Sequence, residues 1–228
     1  MGFFSNRYSK PGPGIEKNAP SKKGLALFFD ILFREFFELF KLNLLFLLFC
    51  IPIITIPAAL TAMSRLTLTM VQDKPHFLWR DFFDAFKANF KTSALAGLML
   101  FAGLFIAGYS AYFYGLSTRT NALFYVPLGI SLCLVYALTV ISFYLFPLIA
   151  LVDLPLKVLI KNALLLTFIC LPHNLATFAA TGLLVFLFVG FFPVSLPFIL
   201  IAFFALLNLI STFCAYSGIK RYVIQKDQ

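Results

Sequence analysis

Charged residues are scarce in this sequence. Of its 228 residues only 12% are Asp, Glu, Lys or Arg and two are His, whereas 61% are hydrophobic and 31 are Phe. A soluble domain carries about 25% charged residues, so this composition excludes an ordinary soluble protein. Several apolar runs reach the length of about 20 residues that a helix needs to cross a bilayer. The composition therefore predicts a multi-pass membrane protein.

The sequence also lacks the residue groupings that enzymes and metal sites use. Neither His76 nor His173 has a second ligand four residues away, and there is no Gly-rich phosphate loop, GxSxG motif or pair of carboxylates within an apolar run. The four cysteines all lie in apolar runs without CxxC spacing: Cys50, Cys133, Cys170 and Cys214. We therefore expect no enzymatic activity, no metal site and no cofactor.

The little charge that is present is mostly positive. Lys and Arg number 18 against 9 acidic residues, which gives a net charge of +9. A nucleic-acid-binding role would need a soluble basic module, and the sequence has none. Most of the cations flank apolar runs instead, as topology signals do. If the chain folds as three hairpins, one side of the membrane receives Lys22, Lys23, Lys41, Lys74, Arg80, Lys87, Lys91, Lys157, Lys161, Lys220 and Arg221, and the other only Arg119. We therefore expect both termini to be cytoplasmic.

Amphipathic segments precede the apolar runs. In residues 25–41, 76–92 and 152–162, charges alternate with Phe and Leu at helical spacing, which is typical of helices that lie in the membrane interface. The segments FFELFKLN (36–43) and FFDAFKAN (82–89) match at nearly every position, and the third segment is a weaker copy. The sequence therefore contains an internal repeat.

These patterns predict an all-α membrane protein with about six transmembrane helices in three hairpins, each preceded by a cytoplasmic interfacial helix. Both arms of the first hairpin are short, so residues 42–72 either cross the membrane twice or re-enter from the cytoplasmic side. We expect a polar tail at 1–24, a single membrane domain at 25–228, and hairpins at 25–72, 76–151 and 152–222.

Polar residues at the helix ends and in the spans are the candidate functional positions. Arg65 is the only charged residue expected within a span, where it either extends to the interface or pairs with Glu38 or another polar group. Asn208 begins a polar stripe with Ser211 and Thr212 that suits packing against another helix, within this protein or from a partner. The candidate structural or partner-contact residues are Glu38, Lys41, Asn43, Pro52, Pro57, Arg65, Asp84, Lys87, Asn89, Pro147, Lys161, Asn162 and Asn208.

Several of these motifs together resemble the YesL-like family of membrane proteins from Gram-positive bacteria. The resemblance includes the tail PGPGIEKNAPSKKG, the lead-in FFELFKLNLLFLL, the turn IPIITIPAALTAM, and the segments FFDAFKANFK and FPLIALVDLPLKVLIKNALLL. Two positions depart from the family pattern: Ile56, where the turn usually has Gly, and Leu151 to Asp153, where an Arg-Phe pair is common.

The resemblance implies a cellular location and a gene context, but no chemical reaction. YesL-like proteins lie in the bacterial cell membrane, and their genes tend to accompany carbohydrate ABC uptake systems and two-component regulators. The resemblance thus implies an accessory component of the lipid bilayer for sugar uptake or its sensing. Our leading hypothesis is a non-enzymatic subunit that contacts ABC permease subunits through its basic, Phe-rich cytoplasmic helices and its amino-terminal tail. The alternatives are a stand-alone transporter or channel for a neutral solute or lipid, and a membrane partner of a sugar-sensing two-component system. A homo-oligomer is compatible with each of these.

Overall fold

A computed structural model describes residues 24–119 and 121–224, apart from the side chain of Ile224. The expected polar tail therefore lies almost wholly outside the described residues. The chain divides into two compact units after Arg34. The described helix of the first unit is α1, in which Arg34 and Asp30, one turn apart, form an ion pair at 3.9 Å. The helices are α1 (Leu25–Arg34), α2 (Phe36–Phe49), α3 (Ile56–Val71), α4 (Leu78–Ser117), α5 (Tyr125–Leu151), α6 (Leu156–Ile169), α7 (Leu171–Gly190), the short α8 (Leu196–Phe198) and α9 (Phe204–Ile219).

Short helical turns complete the described structure. Two 3₁₀ turns precede α3 and α5, at Ile53–Thr55 and Ala122–Phe124, and π-helical turns flank α9 at Ile199–Phe203 and Lys220–Ile224. Within residues 24–119 and 121–224, five helical segments are long and apolar enough to cross a membrane: Ile53–Val71, Leu78–Ser117, Ala122–Leu151, Leu171–Gly190 and Leu196–Val223. The prediction of an all-α multi-pass membrane protein is confirmed.

The boundaries of the amphipathic segments differ from the prediction. The segment expected at 25–41 is divided at Glu35 between α1 and α2, and the one expected at 76–92 continues without a break into the following span as the 40-residue α4. No Pro or Gly separates the two parts of α4 before Gly97, so nothing in the sequence ends the helix there. Each repeat motif therefore belongs to the same helix as the apolar run after it.

The first hairpin turns back beside the middle of α4. The 14 residues of α2 extend over about 21 Å, less than the roughly 30 Å of a bilayer's hydrocarbon core. The chain then turns at Pro52, and α3 begins where Pro57 packs against Gly97, 20 residues before α4 ends at Ser117. The short α2 thus favours the re-entrant alternative for residues 42–72, although the other arm, Ile53–Val71, is by itself long and apolar enough to cross.

Small side chains place α3 at the centre of the second unit. Ala58, Ala59 and Ala62 are completely buried on this helix, and such residues allow helices to approach closely in a membrane. The helix packs on α4, α5 and α9. A second buried cluster joins α5 and α6 around Tyr144, Leu148 and Leu159. The polar residues described below lie in and around this framework.

Candidate functional site

Asn43 connects the first hairpin to the last span. This side chain is completely buried on α2, and its Nδ2 donates hydrogen bonds to the carbonyls of Ile199 at 2.7 Å and Leu200 at 2.9 Å. Its Oδ1 accepts from the backbone N–H groups of Phe204 at 3.0 Å and Ala205 at 3.1 Å. These backbone groups are five residues apart, the spacing of a π-helical turn. The carboxamide thus uses both its donor and its acceptor on a single π turn.

The corresponding residue of the second repeat has a different role. Asn89 donates to the carbonyl of Ala85 on its own helix, at 3.1 Å, and contributes no bond between helices. The residues before each Asn also bind locally. Lys41 pairs with Glu38 at 2.8 Å, and the Lys87 Nζ lies 5.9 Å from the centre of the Phe83 ring. The sequence repeat therefore does not imply equal contacts.

Arg65 interacts with the end of a neighbouring helix. Its side chain is exposed, and Nη1 donates to the carbonyl of Ala150 at 3.1 Å. Ala150 is the penultimate residue of α5, where carbonyls lack partners within the helix and the helix dipole attracts cations. The pairing with Glu38 is not formed, since Glu38 binds Lys41. Arg65 therefore caps the carboxyl-terminal end of α5.

Asn208 completes a buried polar network between α3 and α9. Its Oδ1 accepts from the hydroxyl of Thr67 at 2.8 Å, and its Nδ2 donates to the Ser64 hydroxyl at 3.0 Å. A second hydroxyl pair, Thr61 and Ser93, joins α3 to α4 at 2.7 Å. The polar stripe that begins at Asn208 therefore packs against a helix of the same chain.

The remaining candidates are dispersed. Pro52 is exposed in the turn after α2, Pro57 is buried against Gly97, and Pro147 is buried within α5. On α6, Lys161 is exposed and Asn162 is half-buried. The structure does not bring these two α6 residues together with the other candidates.

A charged cleft of about 550 Å³ lies beside the amino-terminal half of α4. It brings together three of the candidates, Arg65, Asp84 and Asn89, with further cationic and acidic side chains. Arg80 and Asp84 form an exposed ion pair at 3.8 Å next to it. Its polar lining consists of Arg65, Thr69, Lys74, Asp81, Asp84, Asn89 and Asp153. The mixture of signs gives this cleft no clear preference for anions or cations.

A second, mostly apolar cavity of about 430 Å³ lies between α3, α4, α5, α7 and α9. Two candidates, Pro147 and Asn208, lie in its wall. Its lining, as the described residues define it, contains no ionisable side chain; the polar groups belong to Ser64, Thr139, Ser142, Thr181, Asn208 and Ser211. A volume of this size falls in the range of about 300–1,000 Å³ typical of small-molecule sites. Its size and its lack of charge suit an uncharged ligand.

Helices α6 and α7 separate at Cys170, two residues before Pro172. Because proline cannot continue the hydrogen bonding of a helix, carbonyl groups before the break need another partner. Asn174 supplies the polar group: its Nδ2 donates to the Thr167 carbonyl at 2.8 Å, and its Oδ1 accepts from the Tyr144 hydroxyl. The link to Tyr144 has no signal in the sequence, because the two residues are 30 positions apart.

Comparisons with known proteins give one family match. Residues 39–111 match the model of a family described as "Protein of unknown function, DUF624". The matched segment includes most of α2, all of α3 and most of α4, so it contains Asn43, Arg65 and Gly97. No curated protein and no solved structure matches the chain. Within the described residues no group of three His, Cys, Asp or Glu side chains could hold a metal ion.

Proposed function

We propose that the protein is a non-enzymatic accessory subunit that associates in the bacterial cell membrane with the permease of a carbohydrate ABC uptake system. The observation that carries the proposal is the length of α4. Its 40 residues correspond to about 60 Å, twice the roughly 30 Å hydrocarbon core. One end of this continuous helix must therefore extend beyond the hydrocarbon region, where another subunit can contact it.

The residues at the amino-terminal end of α4 suit such a contact. Phe77 and Trp79 are 71% and 62% exposed, and the charged side chains of Arg80 and Asp84 beside them are 79% and 72% exposed. Aromatic residues and Arg are the types enriched in protein interfaces. The positive-inside bias of the sequence favours a cytoplasmic location for this end of α4, on the side where the ATPase subunits of an uptake system act. The resemblance to YesL-like proteins supports the choice of partner.

Affinity purification from native membranes tests this proposal. We expect permease and ATPase subunits to copurify with the tagged protein after mild solubilisation, as identified by mass spectrometry. The double variant Arg80→Glu/Lys87→Glu reverses charges on the extended end of α4 and should reduce their recovery about tenfold, a change of about 1.4 kcal/mol. The control Arg119→Glu reverses an exposed charge just beyond the other end of the same helix. Recovery of the wild-type protein alone would contradict the proposal.

A second candidate function is favoured by the apolar cavity. A stand-alone transporter or channel for a neutral solute or lipid needs an uncharged space between its spans, and the cavity between α3, α4, α5, α7 and α9 meets that requirement. Reconstitution separates the two functions. Uptake of a neutral solute, or redistribution of a neutral lipid, by vesicles that contain only this protein would favour the transporter. Inert vesicles, together with copurifying permease subunits, would favour the accessory subunit.

A further inference from the structure

Four of the five hydroxyl groups that the described residues place in the cavity wall are already committed as donors. Thr139 donates to the Val135 carbonyl at 2.8 Å, and Ser142 donates to the Thr139 carbonyl at 2.6 Å. Thr181 donates to the Thr177 carbonyl at 2.9 Å. A hydroxyl has one proton and two acceptor lone pairs, so each of these groups keeps only acceptor capacity for a ligand.

Ser211 also donates, to the Asn208 carbonyl at 2.9 Å, so its hydroxyl likewise keeps only acceptor capacity. Ser64 differs, because its hydroxyl oxygen accepts from the Asn208 Nδ2 at 3.0 Å. Beside Thr139, Ser142 and Thr181, a carboxylate, sulfate or phosphate ester dianion, which has acceptors only, would meet acceptor oxygens without a cation to balance its charge. This side of the cavity therefore disfavours anions and favours an uncharged molecule that donates a hydrogen bond.

The cavity is accessible from the lipid. Phe101 on α4 and Val185 on α7 belong to its wall and are 43% and 42% exposed, and both helices are long and apolar enough to span a membrane. Its hydroxyl-bearing residues on α5 and α7, Thr139, Ser142 and Thr181, lie near the middle of their helices. A ligand that enters between α4 and α7 must therefore be soluble in the bilayer.

We propose that this cavity is a binding site for an uncharged lipid alcohol, which places its hydroxyl near Thr139, Ser142 and Thr181 and its hydrocarbon chain among the Phe and Leu side chains. The site does not depend on the proposed association with a permease, because its ligand comes from the bilayer.

Three photoreactive probes with the same chain test the chemistry. They are diazirine analogues of oleyl alcohol, methyl oleate and oleyl sulfate. The alcohol has a hydroxyl donor, the ester has no donor, and the sulfate carries a permanent negative charge. The full-length protein in lipid nanodiscs is irradiated with each probe, and the crosslinked residues are mapped by mass spectrometry. We expect the alcohol to label the cavity wall about three- to tenfold more than the ester, the difference that one net hydrogen bond makes, and the sulfate to label it least.

A pair of glycine variants tests the location. A Cβ atom added at Gly182, in the cavity wall, or at Gly108, outside it, would meet no atom within 4 Å. Gly182→Phe should therefore fill the cavity and reduce alcohol labelling about tenfold or more, whereas Gly108→Phe should leave it unchanged. Thr181→Val, which removes an acceptor oxygen with little change of shape, should reduce the preference for the alcohol over the ester.

Three results would overturn the assignment. Equal labelling of the cavity wall by all three probes would show that the hydroxyls do not select the ligand. Equal labelling of the Gly182→Phe and Gly108→Phe variants, or crosslinks confined to the outward faces of α4 and α7, would show that the lipid binds outside the cavity. Thr181→Val gives an independent result if Gly182→Phe does not fold.

Discussion

The carboxamide Nδ2 of Asn43 lies 2.7 Å from the carbonyl oxygen of Ile199, although the two residues are 156 positions apart. A buried amide in a membrane must find partners, because lipid offers none. Asn43 finds four of them within one π turn of the last helical segment. The contact joins the segment matched by the family model to a part of the chain beyond it.

Replacement of Asn43 should destabilise the fold more than replacement of its counterpart in the repeat. Asn43→Ala removes four hydrogen bonds and leaves a void on α2, so we expect the free energy of unfolding to fall by about 2–4 kcal/mol. Asn89→Ala removes one bond within a helix and should cost about 1 kcal/mol or less. Unfolding by SDS titration in mixed micelles measures both values, and equal losses for the two variants would refute this account of the Asn43 contact.

Addition of a methyl group at Gly97 should separate α3 from α4. An added Cβ would lie 2.2 Å from Pro57 Cγ and 2.4 Å from Pro57 Cβ, so the two helices must move apart. We expect Gly97→Ala to lower the free energy of unfolding by about 1–3 kcal/mol, as overpacking does.

Two further variants separate overpacking from helix propensity. Gly108→Ala on the same helix places its methyl in open space and should stabilise the protein by up to about 1 kcal/mol through better helix propensity. The double variant Pro57→Ala/Gly97→Ala should recover part of the loss, because it removes Pro57 Cγ, the nearer of the two clashing atoms, and keeps only the Cβ. A double-variant cycle with no coupling energy would contradict the contact between Pro57 and Gly97.

Substitution of Arg65 should test its role as a cap of α5. Arg65→Gln removes the positive charge beside the Ala150 carbonyl, and we expect a loss of about 0.5–1 kcal/mol, the usual contribution of a cation at a helix carboxyl terminus. Arg65→Lys keeps the charge and should lose less. If the two variants are equally unstable in the same unfolding titration, the charge is not the stabilising feature.

Cysteine labelling should locate the turn of the first hairpin. In a variant without the four native cysteines, we expect an impermeant maleimide added to intact cells to label Arg119→Cys but not Lys87→Cys, which should react only after permeabilisation. Ile54→Cys, at the turn, should react poorly from outside, because the hairpin turns back beside Gly97. Rapid external labelling of Ile54→Cys would instead show that the hairpin crosses the membrane fully.

The sequence is sufficient to predict the class of fold because that prediction depends on the length and composition of apolar runs. It is a poorer guide to where helices end, because a helix can continue from the membrane interface into the hydrocarbon region without a change in backbone conformation. Helix α4 does so: it continues from FFDAFKAN into the apolar span without interruption. Prolines are a mixed signal: helices end close to Pro52 and Pro172, whereas α5 continues through Pro147.

Contacts between distant segments are the part that the sequence does not reveal. The repeat suggests equal roles for Asn43 and Asn89, yet only Asn43 faces the π turn, because the helix packed beside each residue is different. Pro57 and Gly97 belong to two of the apolar hairpins, and nothing in either segment indicates that they touch. The cavity likewise depends on the arrangement of five helices rather than on any motif.

The four hydrogen bonds between Asn43 and the π turn also have a consequence for biogenesis. A ribosome synthesises Asn43 long before Ile199 to Ala205, so the carboxamide enters the membrane without its eventual partners. Until the final span is inserted, this side chain must be held by water, the translocon or a chaperone. Assembly of the amino-terminal hairpin is therefore completed only when synthesis of the chain has nearly ended. A chain truncated before Ile199 would leave the Asn43 amide without its partners, and we expect membrane quality-control proteases to degrade it.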